Sequence, residues 1–185
     1  MSFIDYCING DINSIKQMPL NIIKYCDLDL GFEYACWRGH YDIVRYLCEL
    51  YKTDNYNIIN IHAENEYGFR LACMYGHINI VRYLCELYKT GNYMKINIHA
   101  ENEESFRWAC HKGHINIVRY LCELYKTGDY NIINIHVVDE LGFRWACKKE
   151  HYNVILYLMT LYKKHKYKPI HNFIRIFKKI DKYLI

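Results

Sequence analysis

Four cysteine–histidine pairs are the residues of this sequence whose types and spacing could support chemistry. In each pair the histidine follows the cysteine by four residues, a spacing that suits two metal ligands on one helix face. The pairs are Cys36/His40, Cys73/His77, Cys110/His114 and Cys147/His151. A thiol beside an imidazole could also act as a nucleophile. Zinc binding and nucleophilic catalysis are therefore the two chemistries to consider.

The regular repetition of these pairs argues against both chemistries. A structural zinc ion needs four ligands, each pair supplies two, and neighbouring pairs would lie about 10 Å apart in stacked helices. A nucleophile needs one oriented site with an oxyanion partner. The sequence also has no phosphate-binding glycine loop, no G-x-S-x-G and no H-E-x-x-H motif. We therefore expect structural cysteines and histidines, no metal, no cofactor and no enzymatic activity.

The pairs belong to a repeat with a period of 37 residues. The phrase HINIVRYLCELYKTG occupies 77–91 and 114–128, and related copies begin at His40 and His151. Phenylalanines keep the same period: Phe32, Phe69, Phe106 and Phe143. An incomplete first copy is indicated by Phe3, Cys7, Gly10 and Asn13. A fixed period of this length is typical of a solenoid, in which each unit packs only on its neighbours.

Each repeat contains two predicted helices. Residues 78–89 carry two adjacent apolar stripes, which indicates a helix buried on two flanks between neighbouring units. Residues 68–75 form a shorter helix with small residues on one face, and Gly76 ends it. In the connection, Ile59 and Ile61 alternate with polar residues, like a short extended arm. We therefore predict an all-α solenoid of stacked helix–turn–helix repeats with long connecting arms.

The repeats predict a single array over residues 1–185. The approximate bounds of the repeats are 1–30, 31–67, 68–104, 105–141 and 142–168. A basic helix at about 170–184 would follow as a C-terminal cap, because its apolar residues recur at helical spacing. Those apolar residues are Phe173, Ile176, Phe177, Ile180 and Leu184.

Composition and sequence pattern indicate the class of protein and its cellular location. Hydrophobic residues make up 52% of the chain and charged residues 24%, as in a globular protein. The nine cysteines are an odd number, and the start has no signal-peptide pattern, so a disulfide framework is not expected. No apolar run reaches the roughly 18 residues of a membrane span. We expect an intracellular protein that is neither secreted nor transmembrane; cytoplasm and nucleus remain open.

The repeat resembles the ankyrin repeat in its frame A-C-x-x-G-H-x-x-I-V-x-Y-L. The turn at 60–67, N-I-H-A-E-N-E-Y, resembles the ankyrin repeats that giant DNA viruses of amoebae encode. The resemblance covers almost all of residues 1–162. It implies an ankyrin-like stack, a protein-binding role and, for a viral protein, the host cell cytoplasm. The family's T-P-L-H motif is absent, since one copy reads Tyr67-Gly68-Phe69-Arg70. The stack therefore needs other polar bonds between neighbouring repeats.

Two positions before the second helix differ in every copy of the otherwise constant frame. In ankyrin-like stacks these positions point into the concave surface. The candidate partner-binding residues are Trp37, Arg38, Met74, Tyr75, His111, Lys112, Lys148 and Lys149. Ordinary solvent-exposed variation is the alternative interpretation. We predict a non-enzymatic, monomeric scaffold that binds a protein partner of unknown identity through this surface.

Four other sets of residues have two interpretations each. The arginine ladder, Arg70, Arg107 and Arg144, could bind an acidic partner or hydrogen-bond to acidic turn residues of the chain itself, and structure is favoured. The row Tyr34, Leu71, Trp108 and Trp145 is expected mostly in the core between repeats. The acidic arm residues, such as Glu64, Glu66, Glu101, Glu103, Glu104, Asp139 and Glu140, either form solvated loops or contact a basic partner. The histidines His62, His99 and His136 are expected to be structural.

The segment after Tyr162 carries eight lysines and arginines and one acid, Asp181. Three roles remain open for it: a cap on the last repeat, a patch for nucleic acid or anionic membrane, and a docking helix for a protein. Electrostatic binding of nucleic acid or anionic membrane through this basic tail is the alternative function. It has no base-reading motif to support it.

Overall fold

The structure is a computed structural model that describes residues 1–50 and 59–164. Within these ranges the chain is all-helical and contains no β-strand. This confirms the all-α fold class. The predicted capping helix at about 170–184 lies outside the described residues. None of the described helices is long and apolar enough to cross a membrane.

The helices follow one another in pairs along the chain, one pair for each repeat, as the sequence predicts. In order, the helices are α1 Phe3–Asn9, α2 Ile12–Gln17, α3 Leu20–Ile23, α4 Leu28–Arg38, α5 Tyr41–Glu49, α6 Ala63–Tyr75, α7 Ile78–Leu87, α8 Ala100–Lys112, α9 Ile115–Glu123, α10 Val137–Lys148 and α11 Tyr152–Lys164. Short 3₁₀ turns, Tyr88–Thr90 and Leu124–Thr127, extend α7 and α9. Five helix–turn–helix hairpins result within the described ranges, α1/α2 to α10/α11, with α3 between the first two.

The two rows of helices in the stack pack differently. The first helices of the hairpins, α1, α4, α6, α8 and α10, pack directly on one another, whereas the second helices touch through few residues. Gly68 explains the close approach of α6 to α4, since a Cβ at this position would overlap the Phe32 ring. We call the surface of the first helices that faces away from the second helices the inner face.

In the hairpins α4/α5, α6/α7 and α8/α9, a left-handed glycine followed by a histidine joins the two helices. Gly39 has a φ of 82°, a conformation that favours glycine, and it ends α4. A Cβ on Gly39 would overlap the His77 ring of the next repeat. Both the conformation and the space therefore require glycine at this turn.

The connecting arms bury alternate residues, as the sequence predicts. Ile96 and Ile98 are buried, whereas Asn97 between them is exposed. Tyr93 reaches back from its arm to donate a hydrogen bond of 3.0 Å to the carbonyl of Cys48 in the preceding hairpin. Tyr130 makes the same bond to Cys85, at 2.8 Å. The residues that lengthen the repeat therefore contribute bonds between hairpins.

Candidate functional site

The histidine of each cysteine–histidine pair is bonded to backbone. The ring Nε2–H donates to a carbonyl oxygen of the preceding hairpin, at 2.9–3.0 Å in all four copies. The bonds are His40 to Ile8, His77 to Trp37, His114 to Met74 and His151 to His111. These bonds are polar connections between neighbouring hairpins.

The paired cysteines are packing residues. Cys36, Cys73 and Cys110 are fully buried, and burial raises the pKa of each thiol well above its usual value. Burial also raises the pKa of the half-buried Cys147 to about 12. Thiols in this state are protonated and are weak nucleophiles and metal ligands. No group of three or more His, Cys, Asp or Glu side chains within 1–50 and 59–164 is arranged to hold a metal ion.

A left-handed turn occupies the first residues of each of the three later first helices, α6, α8 and α10. Glu64, Asn65 and Glu66 have φ of 47°, 53° and 66°, and the same conformation recurs at 101–103 and 138–140. Each such residue costs roughly 1–2 kcal/mol relative to right-handed backbone. α4 lacks this turn and begins at the ordinary N-cap Asp27, whose carboxylate accepts from the Leu30 N–H at 3.0 Å.

Two members of the arginine ladder, Arg70 and Arg107, stabilise the turns of α6 and α8. Arg107 donates from Nε to the Asn102 carbonyl and from a terminal nitrogen to the Glu101 carbonyl, both at 2.8 Å. Arg70 makes the corresponding bonds to Asn65 and Glu64, at 3.0 and 2.9 Å, and also pairs with Glu104. The favoured structural interpretation is correct for these two arginines. The expected pairing with acidic turn residues occurs for Arg70 through the Glu104 carboxylate, whereas the other bonds of both guanidinium groups go to backbone carbonyls of the turns.

Three of the acidic arm residues are buried and do not form a solvated loop. Glu66, Glu103 and Glu140 are only 5%, 5% and 6% exposed. Glu66 accepts from His62 Nδ1 at 2.9 Å and from the Asn97 N–H of the next arm at 3.0 Å. Equivalent bonds connect Glu103 with His99 and the Asn134 N–H, and Glu140 with His136. These carboxylates hold the arms in register; the exposed Glu64 and Glu101 remain available at the surface.

The candidate binding residues of α4 and α6 form an aromatic cluster on the inner face. The Trp37 and Tyr75 rings lie 6.0 Å apart between centroids, in an edge-to-face arrangement. The guanidinium of Arg38 lies 4.1 Å from the Trp37 ring centroid. Arg38 and Tyr75 are exposed, whereas Trp37 and Met74 are half-buried. Exposed aromatic side chains of this kind commonly anchor protein partners.

The candidate residues of α8 and α10 form a basic cluster. Lys112, Lys148 and Lys149 are exposed. The His111 ring packs edge-to-face against the rings of both Trp108 and Trp145, with centroids 5.2 and 5.0 Å away. Burial lowers the pKa of His111, and the three lysines and His151 lower it further. The inner face therefore changes from aromatic at its N-terminal end to positively charged at its C-terminal end.

Two further inner-face residues, Leu30 and Tyr67, were not singled out from the sequence. The Tyr34 row, which was expected mostly in the core between repeats, is half-buried, and the Trp108 and Trp145 rings are tilted against each other with centroids 5.4 Å apart. Leu30 and Tyr67 are 38% and 40% exposed and, with Glu33 and Tyr34, line a pocket beside Trp37 and Tyr75. Leu30 lies seven residues before Trp37, and Tyr67 lies seven residues before Met74, a spacing that would have indicated the shared helix face.

Stacked helix hairpins with a glycine–histidine turn, tightly packed first helices and projecting arms define the ankyrin class of repeat proteins. The family model for ankyrin repeats (three copies) matches residues 32–134. The chain therefore belongs to the ankyrin-repeat family. Ankyrin repeats are generally protein–protein interaction modules, and proteins of this fold are typically non-enzymatic scaffolds.

A solved structure supports the same fold. The X-ray structure of an ankyrin repeat family protein from Legionella pneumophila superposes with a TM-score of 0.53 and 26% sequence identity. The match covers 89% of this chain and 47% of the Legionella chain, so this chain spans about half of that protein. No curated protein sequence matches the chain significantly. The resemblance to ankyrin repeats of giant viruses stays a prediction.

Proposed function

We propose that this chain is a non-enzymatic scaffold that binds one protein partner across its inner face. The observation that supports the proposal most strongly is the position of the variable pairs. They lie at the C-terminal ends of α4, α6, α8 and α10, and in α4, α6 and α8 a histidine of the next repeat holds the backbone of the pair by a hydrogen bond. Variation on a fixed frame is what a specific recognition surface requires.

The chemistry of the inner face suggests the character of the partner. Trp37 and Tyr75 offer rigid aromatic area to an apolar anchor, while Lys112, Lys148 and Lys149 attract an acidic segment. The partner would therefore present acidic residues towards α8 and α10. The proposal extends to one continuous array of repeats that acts as a monomer inside the cell, in the host cytoplasm if the protein is viral.

The proposal can be tested by affinity capture from nuclease-treated cell lysate with mass-spectrometric identification. The inner-face variant replaces Trp37, Tyr75, Lys112 and Lys149 by alanine. Its matched control replaces four residues that are exposed on the second helices and their extensions, namely Arg45, Asn79, Lys89 and Asn116. Like the inner-face variant, this control removes two positive charges. Circular dichroism and urea unfolding would first establish that both variants fold.

We expect a protein that is retained by wild type and by the control variant but lost by the inner-face variant. Retention by all three chains, or loss by both variants, would contradict the proposed surface. Binding through the basic tail is the alternative from the sequence, and those residues lie outside the described ranges. A chain ending near Tyr162 tests it, because tail binding would vanish in that chain and would decrease steeply with salt.

A further inference from the structure

The N-terminal end of the inner face contains a pocket of about 300 Å³ between α4 and α6. Its walls include the rings of Tyr34, Trp37, Tyr67 and Tyr75, with Leu30 at the edge. The Glu33 carboxylate is the charged group among its lining residues. This volume is at the lower end of the range for small-ligand pockets, so it suits one side chain.

Glu33 departs from the repeat at this position. The equivalent residues of the later repeats are Arg70, Arg107 and Arg144. Arg70 and Arg107 bind carbonyls of a left-handed turn, and α4 has no such turn, because it begins at Asp27. No arginine is therefore needed at this position of α4 to bind a turn, and the residue there, Glu33, carries the opposite charge.

The surroundings of Glu33 are negatively charged. Burial raises the pKa of Glu33, and so do the nearby carboxylates Glu64 from α6 and Asp29 and Asp27 from its own helix and cap. Arg70 opposes this rise, but its guanidinium already binds Glu104 and the Glu64 and Asn65 carbonyls. The site therefore has an excess of negative charge that a bound cation would neutralise.

The aromatic walls suit the same kind of occupant. Ring faces attract cations, and guanidinium groups of the chain already lie against two of them. Arg38 lies 4.1 Å from the Trp37 centroid and Arg70 lies 5.3 Å from the Tyr67 centroid. Arg38 is exposed and lies against the Trp37 ring without lining the pocket. A partner cation at the same ring would therefore be repelled by the positive charge of Arg38.

We propose that this aromatic pocket receives a lysine or arginine side chain of the protein partner, with Glu33 as its counter-ion. The inference rests on the proposed scaffold function and specifies the chemistry of one end of the partner. The partner would then carry a basic residue towards α4 and α6 and acidic residues towards α8 and α10. This polarity would fix the direction in which the partner lies across the inner face.

The three tryptophans allow a direct test on the intact chain. The indole N–H signals of Trp37, Trp108 and Trp145 are followed by NMR while n-butylguanidinium or n-butylammonium is added; n-butanol is the neutral control. We expect saturable movement of the Trp37 signal, with a dissociation constant of about 1–10 mM as befits a single side chain. The signals of Trp108 and Trp145 should stay in place.

Three variants make the outcome decisive. Glu33→Gln should weaken binding by at least about fivefold, because it removes the counter-ion. The control Glu86→Gln, exposed on α7, should leave the affinity unchanged. Arg38→Gln should strengthen binding by about two- to fivefold, because it removes a positive charge that lies beside the Trp37 ring and repels the added cation. Wild-type affinity should also fall as acid protonates Glu33, and Glu33→Gln should remove that dependence.

Equal movement of all three tryptophan signals, equal binding of n-butanol, or unchanged affinity in Glu33→Gln would overturn the pocket proposal. Those results would leave the scaffold proposal intact, since lysate capture by the inner face could still occur. Conversely, capture could fail while the cation still moves only the Trp37 signal. The two proposals therefore fail through different measurements.

Discussion

His77 Nε2 donates a hydrogen bond of 3.0 Å to the carbonyl oxygen of Trp37, forty residues earlier in the chain. Trp37 is the first residue of a variable pair, and His77 belongs to the constant frame of the next repeat. The same bond joins His114 to Met74 and His151 to His111. The frame therefore fixes the backbone of the variable pairs in α4, α6 and α8 while leaving their side chains free to differ.

Replacing His77 by alanine should destabilise the array. The Trp37 carbonyl would lose its partner in a partly buried position, a loss of about 1–3 kcal/mol in the free energy of unfolding. Urea unfolding followed by circular dichroism measures the change. Asn79→Ala, at an exposed position of α7, is the control and should change little. Equal unfolding midpoints for the two variants would show that the hydrogen bond contributes nothing to stability.

Glycine at the hairpin turn has two separable functions. Gly113 has a φ of 76°, and the His151 ring fills the space of its Cβ, so Gly113→Ala should lower stability by about 2 kcal/mol. Glu150 takes the equivalent place after α10 with a φ of 58°. Glu150→Gly should raise stability by about 0.5–1 kcal/mol by relieving backbone strain. Thermal unfolding of the two variants should show opposite shifts; a destabilised Glu150→Gly chain would contradict this interpretation.

Arg107→Lys tests the support of the left-handed turns. The guanidinium binds two successive carbonyls at once, and a lysine ammonium cannot reproduce that fork. We expect a loss of about 1–2 kcal/mol in chemical unfolding. Arg144→Lys is the matched control, because Arg144 is exposed at the same repeat position. A loss of equal size in both variants would mean that the arginine contributes through charge alone and not through the paired bonds.

The fold was predictable because its determinants are local and repeated. The 37-residue period, the two apolar stripes of the second helix and the small residues of the first helix each predict packing without reference to distant contacts. The glycine before each histidine located the turns. One boundary differs from the prediction. The sequence predicted that the first helix of this repeat begins at residue 68, whereas α6 begins at Ala63, because its bounds include the left-handed turn at 64–66.

The site was less predictable, because its key contacts join residues about one repeat apart. Charge alone indicated that Arg107 would pair with acids, but its partners are carbonyls exposed by three consecutive left-handed residues, a conformation unusual for Glu and Asn. Glu66 looked solvated because it lies in a polar segment, yet it is buried under the next arm. Glu33 could be recognised as unusual from the sequence alone, since it is a negative residue at the position where the later repeats have arginine.

Stability should decrease on mild acidification because of His111 and His114. Burial lowers the pKa of both below the ordinary 6.5; nearby cations add to this at His111, whereas the bond to Met74 partly opposes it at His114. At these two histidines the unfolded chain therefore binds more protons than the folded chain. The stability that the neutral histidines contribute is fully present above about pH 6.5 and is lost as pH falls through their lowered pKa values in the folded state. The raised pKa of Glu33 acts in the opposite direction.

Urea midpoints measured from pH 7.5 to pH 5 test this linkage. The midpoint should fall with pH, and His111→Gln should make the dependence shallower without removing a bond between hairpins. His114→Gln should also flatten it, at the cost of a lower midpoint at every pH because the Met74 carbonyl loses its donor. Glu33→Gln should make the fall steeper, since it removes the opposing titration. A wild-type midpoint that rises on acidification, or an unchanged slope in His111→Gln, would show that these two histidines do not control the pH dependence.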